Sequence, residues 1–274
     1  MDLLYVVGEI KKRRWVVLGI VLPATVLAFA LSLLMPKKYL SEASVLPVNS
    51  LLTDKGRLFN ENLQQLYSGF GTADDLDRLY AVAKSGVVYN AIADSFQLIQ
   101  HYNLQDKGLA ARNTALKRLR SNSYILKTEY GELKIGVWDK DPQLAANIAN
   151  AMVRKIQEVN QDLFREFYSA ALDKLKKVVE EKSMALEKAK TAGEKNTGNS
   201  SSSVKLLQEE ADRYQKLVGE FTVAEMTPPP ALMVLEKAHP SLKPDKPDVL
   251  LNTAAVFIIS ALAAVTVVSF FSRK

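Results

Sequence analysis

The stretch "DKDPQLAANIANAM" (Asp139–Met152) decides the fold, because it starts the longest regular element in the chain. Asp141 is of the residue type that accepts from free N–H groups at a helix start. Pro142 suits the first helical position, where its missing N–H costs nothing. From Gln143 to Ala192 neither glycine nor proline occurs. At about 1.5 Å per residue this predicts a helix of roughly 75 Å, longer than a compact domain of this size can enclose. The helix is therefore expected to project.

Toward the C-terminus, Phe164, Tyr168, Ala171, Leu175, Val178, Lys182, Ala185 and Ala189 alternate spacings of four and three, widened by Leu172, Val179 and Leu186. That is a heptad seam. "GEKNTGNSSSS" interrupts it with small polar residues. Val204, Leu207, Ala211, Tyr214, Val218 and Phe221 then resume the same rhythm. Two complementary stripes around one loop predict an antiparallel helical hairpin with its tip at Gly193–Ser203. "TPPPALMVLEKAHP" ends the hairpin, and Ala231–Lys237 is predicted to return as a strand. Pro240, Pro244 and Pro247 fix φ and bias their neighbours toward extended geometry, which predicts a semi-rigid strut.

Working back from Asp139, "SNSYILKTEYGELKIGVWDKD" reads as a β-hairpin turning at Tyr130-Gly131-Glu132. Leu109–Leu119 and Leu76–Tyr102 read as helices, the latter with apolar positions Leu79, Val82, Ala83, Val87 and Ile92. Thr72 and Asp75 have capping-box spacing. Asn49–Gly71 is turn-rich, and "YLSEASVLPV" after Pro36 reads as a strand.

At the two ends of the 274-residue chain, Trp15–Met35 and Val249–Phe271 carry no Asp, Glu, Lys, Arg or His. Each is long enough to cross a bilayer core, for which about 20 residues suffice. The first is longer than a signal-peptide core and ends in "MPKKY" rather than a small-residue cleavage site, so it is read as a retained anchor. Pro23 is read as a kink. Lys11–Arg14 before the first span and Arg273-Lys274 after the second predict cytoplasmic termini and an exterior middle. The formal charge of +6 is concentrated in these tails, so the middle is near neutral and offers no footprint for nucleic acid. The absence of cysteine excludes disulfides, thiolate metal sites and cysteine nucleophiles.

Taken in order, these residues resemble the polysaccharide co-polymerases, the chain-length determinant (Wzz-type) proteins of bacterial surface-polysaccharide assembly. The likeness rests on the basic N-terminus, Pro36 and Tyr39 after the first span, and the strand with Ala43 and Val45. It continues through Asp141, Pro142, Ala145, Ala146, Asn150 and Ala151 at the long helix start, then the helical hairpin, and Pro240, Pro244 and Pro247 before the second span. The resemblance implies an α/β base beside the membrane, ring-shaped homo-oligomers, a membrane polymerase and lipid-linked glycan as partners, and control of polymer length without chemistry of the protein's own. The hairpin is short for that family, so oligomer size and polymer length do not carry over.

Other features carry less. Gly193–Ser200 has glycines near phosphate-loop spacing, but Asn199 stands where the lysine belongs. His101 and His239 are far apart in sequence, and Asp74, Asp75 and Asp77 lack the ligand pattern of a calcium loop. Asn199-Ser200-Ser201 forms a glycosylation sequon, read as linker. Tyr67, Phe70, Tyr80, Tyr89, Tyr102 and Tyr130 are read as packing residues, with sugar stacking as the sharper alternative. Ala24, Ala28 and Ser32 in the first span, and Ser260 and Ala264 in the second, form small-residue rows that permit close helix contact.

The resulting expectation is an α+β protein of the bacterial inner membrane, without cofactor, metal site or enzymatic activity. Its parts are a cytoplasmic tail (1–14), a first span (15–35), a membrane-proximal α/β base (36–141) and a hairpin (142–226). A returning strand and strut (227–248), a second span (249–271) and a short tail (272–274) complete it. The resemblance implies that it regulates chain length of O-antigen, capsule or exopolysaccharide as a homo-oligomeric scaffold for polymerase or growing glycan. The alternative is an export adaptor working with a separate cytoplasmic tyrosine kinase. A transmembrane sensor would require an output module, and only Ser272-Arg273-Lys274 follows the second span.

Overall fold

The computed structural model describes residues 14–49, 70–193, 200–228 and 230–271. The N-terminal basic cluster through Arg13, Tyr67, most of the hairpin tip, Asn199 and the terminal Arg273-Lys274 lie outside them. The elements run α1 (Arg14–Leu34), β1 (Tyr39–Pro47), α2 (Ala73–Ala83), α3 (Gly86–Ser95), α4 (Leu98–His101), a 3-10 turn (Gln105–Lys107) and α5 (Ala110–Ser121). They continue with β2 (Ser123–Lys127), β3 (Leu133–Asp139), α6 (Pro142–Gly193), α7 (Ser200–Met226), β4 (Leu232–Glu236) and α8 (Val249–Phe271). The chain divides into two units. One holds α1 and α8 with the segments through Ser41, 137–146 and from His239; the other holds Glu42–Gly136 and Asn147–Ala238.

In the first unit, α1 and α8 are long and apolar enough to cross a membrane, each holding an uninterrupted apolar span of 20 residues (Trp15–Leu34 and Val249–Val268). Few of their residues are covered, unlike a soluble core helix. The two helices pack against one another. Val21 and Ser32 of α1, and Ser260, Ala264 and Val268 of α8, are buried, while Ala24 and Ala28 are half-buried. Small side chains on these rows let the backbones approach. Pro23 lies within α1 without ending it.

A four-stranded sheet, most of whose residues belong to the second unit, has the order β2-β3-β1-β4. Ala43 and Val45 of β1, Leu133 and Ile135 of β3, and Ile148, Ala149, Met152, Val153 and Ile156 of α6 are buried and form its core. The β2–β3 turn is held by Thr128 N–H donating to the Glu132 carbonyl (2.9 Å) and Gly131 N–H to the Thr128 carbonyl (3.2 Å). Gly131 adopts φ +80°, a region glycine enters at no steric cost.

Two expectations need correcting. The predicted helix Leu76–Tyr102 is three helices, because Ser85 caps a new start (Val88 N–H to Ser85 Oγ, 3.5 Å) and Gln97 takes φ +47°. The break resets the helical phase, so Val88 is buried and Val87 is 58% exposed. The tip predicted at Gly193–Ser203 is also shorter at both ends, since Gly193 ends α6 and Ser200–Ser203 are helical in α7. Serine is tolerated in a first helical turn, so composition overstated the loop. By contrast, Thr72 and Asp75 form the expected capping box, each side chain meeting the other's backbone N–H at 3.3 and 2.8 Å.

Candidate functional site

Asp141 performs the cap its sequence position predicts: Gln143 N–H donates to Asp141 Oδ1 at 2.9 Å, and Ala145 N–H reaches the Asp141 carbonyl at 3.0 Å. Pro142 is the first residue of α6, Ala145 and Ala146 are buried, and Ala151 is nearly so. Tyr39 begins β1, and exposed Pro36 lies between α1 and β1.

Within the second unit, α6 clamps the returning strand with two amide side chains. Asn150 Nδ2 donates to the Ala238 carbonyl (2.9 Å) while its Oδ1 accepts from Ala238 N–H (3.0 Å). Two turns on, Gln157 Oε1 accepts from Ala231 N–H (3.1 Å) and Leu232 N–H (3.2 Å). Both ends of β4 are thereby tied to the helix by side-chain-to-backbone bonds. Asn150 belonged to the sequence pattern, but Gln157 did not. Its signal was available: an amide seven residues on, bordering the apolar face of Ile148, Met152 and Ile156. Replacing Asn150 with leucine strands one backbone donor and one acceptor and is expected to cost about 2 kcal/mol, read as a lower thermal midpoint.

The strand so clamped is at the edge of the sheet, and β1 covers only one side of it, pairing Val45 with Val234, Leu46 with Met233 and Pro47 with Leu232. Three consecutive apolar residues of β4 face solvent: Met233 at 49%, Val234 at 46% and Leu235 at 57% exposure. Edge strands normally carry charges or proline that blunt pairing with another chain; this one carries neither over 232–235. Nearby, Val48, Leu79, Val82, Leu163, Phe164 and Phe167 line an apolar groove of about 540 Å³.

The hairpin seam follows the predicted positions. Leu172 is buried, and the remaining seam residues of α6 and α7 are half-buried beside exposed neighbours. Tyr168 meets Phe221 edge-on at 5.6 Å, and Lys182 Nζ meets Glu210 at 2.6 Å, so the helices run antiparallel. The pair explains a lysine in an apolar seam, because a cross-helix ion pair fixes register. Its hydrogen bond and charge raise the Lys182 pKa above 10.5 and lower that of Glu210 below 4.5. Both groups are charged in folded and unfolded chains between these values, so the pair's contribution should be flat there. It is lost as pH falls through the depressed Glu210 pKa, or as pH rises through the elevated Lys182 pKa. Helical content followed by circular dichroism in Lys182→Gln against the parent should diverge least at those two extremes.

Of the aromatic residues considered for sugar stacking, Tyr67 lies outside the described residues and Phe70 is exposed. Tyr89 is buried with the Arg120 guanidinium 4.8 Å from its ring centre, Tyr80 lies under Lys84 and Lys127, and Tyr130 is 87% exposed. His101 packs on Tyr102 at 5.1 Å, and His239 is exposed. Asp75 is occupied by Thr72 and Arg78, and Asp77 by Lys127. Among the described residues no three His, Asp or Glu side chains gather as a metal-ligand set.

Residues 1–95, ending where α3 ends, match the family model described as chain length determinant protein. A full-length bacterial polysaccharide co-polymerase is similar over 99% of this chain and 98% of its own, at 12% identity and a TM-score of 0.41. A fragment of WzzB, a polysaccharide co-polymerase from Salmonella Typhimurium, is similar over 77% of this chain and 100% of its own, at 9% identity and 0.43. A mutant of a Shigella flexneri lipopolysaccharide O-antigen chain-length regulator is similar over 76% and 100%, at 12% identity and 0.29. No curated protein matches the chain.

Proposed function

We propose, from the premise that this chain resembles the chain-length determinant family, that it sets the length of a cell-surface polysaccharide without catalysing bond formation. It acts as a homo-oligomeric scaffold in the bacterial inner membrane, with residues 36–248 outside the cytoplasm. The growing lipid-linked glycan, the membrane polymerase, or both are held beside it, so residence time sets length. The observation that carries this reading is the family match over residues 1–95. Two features are consistent with it: a pair of long apolar helices that pack together, and an edge strand whose exposed apolar residues suit a second copy of the chain. The motif positions Pro36, Tyr39, Asp141, Pro142, Ala145, Ala146, Asn150, Ala151, Pro240, Pro244 and Pro247 serve structure within this scaffold, and Ala24, Ala28, Ser32, Ser260 and Ala264 serve helix packing.

Deleting the gene is expected to broaden or shift the ladder of polysaccharide lengths on a gel while polymer is still made. Complete loss of polymer would defeat the length-regulating reading and favour export.

A further inference from the structure

Leu109 is the most exposed large apolar side chain among the described residues, at 102%. It follows Gly108, whose φ of +52° is open to glycine at no steric cost, and it occupies the N-cap position of α5. Leucine is among the poorest residues there, because it has no oxygen to accept from the free N–H groups of the first turn. The side chain therefore gives its own chain neither a cap nor buried surface. A contact made outside the chain is what it is shaped for.

The second unit, which contains Leu109, also carries an apolar recess. Leu79 and Val82 of α2 and Leu163, Phe164 and Phe167 of α6 wall the groove of about 540 Å³, and Leu163 and Phe167 remain 52% and 66% exposed. Pro230 and Ala231 line it too, and the chain passes from them directly into the exposed edge strand β4. Groove and edge thus form one continuous apolar face. Charge divides the same way. The α2 wall bears Asp74, Asp75 and Asp77 against Arg78, whereas α5 behind Leu109 bears Arg112, Lys117, Arg118 and Arg120 with no acidic residue. A basic face with a protruding leucine and an acidic face with an apolar groove are complementary, in shape and in sign.

We propose that Leu109 of one copy of the chain seats in the α2–α6 groove of the next. Because knob and groove are different patches of the same surface, the contact is head-to-tail: each copy gives its leucine to one neighbour and its groove to the other. Repetition closes a ring or extends a filament, according to the rotation between copies. The inference rests on the homo-oligomeric reading above and deepens it by naming the two faces that meet.

The chain has no cysteine, so single-cysteine variants report the contact without background. Full-length Leu109→Cys and Val82→Cys, carrying different affinity tags, are expressed together and their membranes treated with a short bis-maleimide. The expected product is a covalent dimer bearing both tags, in yield well above that from either variant expressed alone. With one cysteine per chain, no link within a chain contributes. In the cysteine-free chain, Leu109→Asp should weaken association about thirtyfold by light scattering in detergent, and Leu109→Met should retain it. Aspartate is a favoured N-cap, so the thermal midpoint should not fall. An assembled chain that gives no mixed dimer, or that links Leu109→Cys mainly to itself, overturns this contact and leaves the oligomeric reading standing. Val82→Cys shielded from maleimide without a mixed dimer means that something else fills the groove, and overturns it equally. Undiminished assembly in Leu109→Asp does the same, and a chain that is monomeric in the membrane removes both the contact and the scaffold.

Discussion

Replacing Val234 and Leu235 together by lysine is expected to dissociate the proposed homo-oligomer while leaving each chain folded. Both side chains are about half-exposed in the single chain, so their loss removes little of its own core. Surface changes of this kind usually alter stability by no more than about 0.5 kcal/mol. If a second copy covers β4, the same positions become central to an interface. There each truncated or charged anchor costs about 2 kcal/mol or more, which together weaken association by roughly a thousandfold. Light scattering of the detergent-solubilised full chain reads the assembly directly, and the polysaccharide ladder reads its consequence. The expected result is a smaller species with an unchanged thermal midpoint and a ladder that resembles the deletion. An assembly of unchanged size would remove β4 from the interface.

Gly136→Val should markedly destabilise the sheet. Gly136 lies in β3, and the Tyr124 ring of β2 crosses directly over it. A Cβ at residue 136 would meet Tyr124 Cε1 at 2.0 Å and Cζ at 2.4 Å, distances no side chain tolerates. The ring must swing away, and its hydroxyl then loses Glu42 of β1. Glu42 also holds Lys134 of β3 at 3.1 Å and thereby raises the lysine's pKa. Overpacking of a filled site costs about 1–3 kcal/mol, and breaking the polar bridge across three strands places this variant near the upper end. Denaturant unfolding of the detergent-solubilised chain should show it. Tyr124→Ala in the same chain should recover part of the loss, a non-additivity that a purely backbone effect of valine would not give.

The features visible before the structure were those written in periodicity. The start of α6 at Asp141-Pro142, its length, and both hairpin stripes followed from local chemistry and from spacings of three and four. Even Lys182 could be placed in the seam, although its purpose could not, because Glu210 lies on another helix. Local signals misled where two compete. The apolar run after Leu76 carried a helical rhythm through Ser85-Gly86, and only the packing of Val88, Tyr89 and Ile92 shows that the phase restarts there. Serines 200–203 looked like loop because composition alone measures preference, not the pull of the seam that follows.

What the sequence by itself determined is therefore the strands, the two apolar helices and the antiparallel hairpin, but not the breaks after Ala83 and Ser95, since each of the former depends on neighbours within a turn or two of the same chain. The tertiary structure decided the pairings across long separations: Asn150 with Ala238, Gln157 with Ala231, Lys38 with Lys246, and β4 at the open edge of the sheet. A backbone donor or acceptor takes any partner that geometry supplies. Residue type alone leaves that choice open until packing has brought distant segments within about 3 Å of one another.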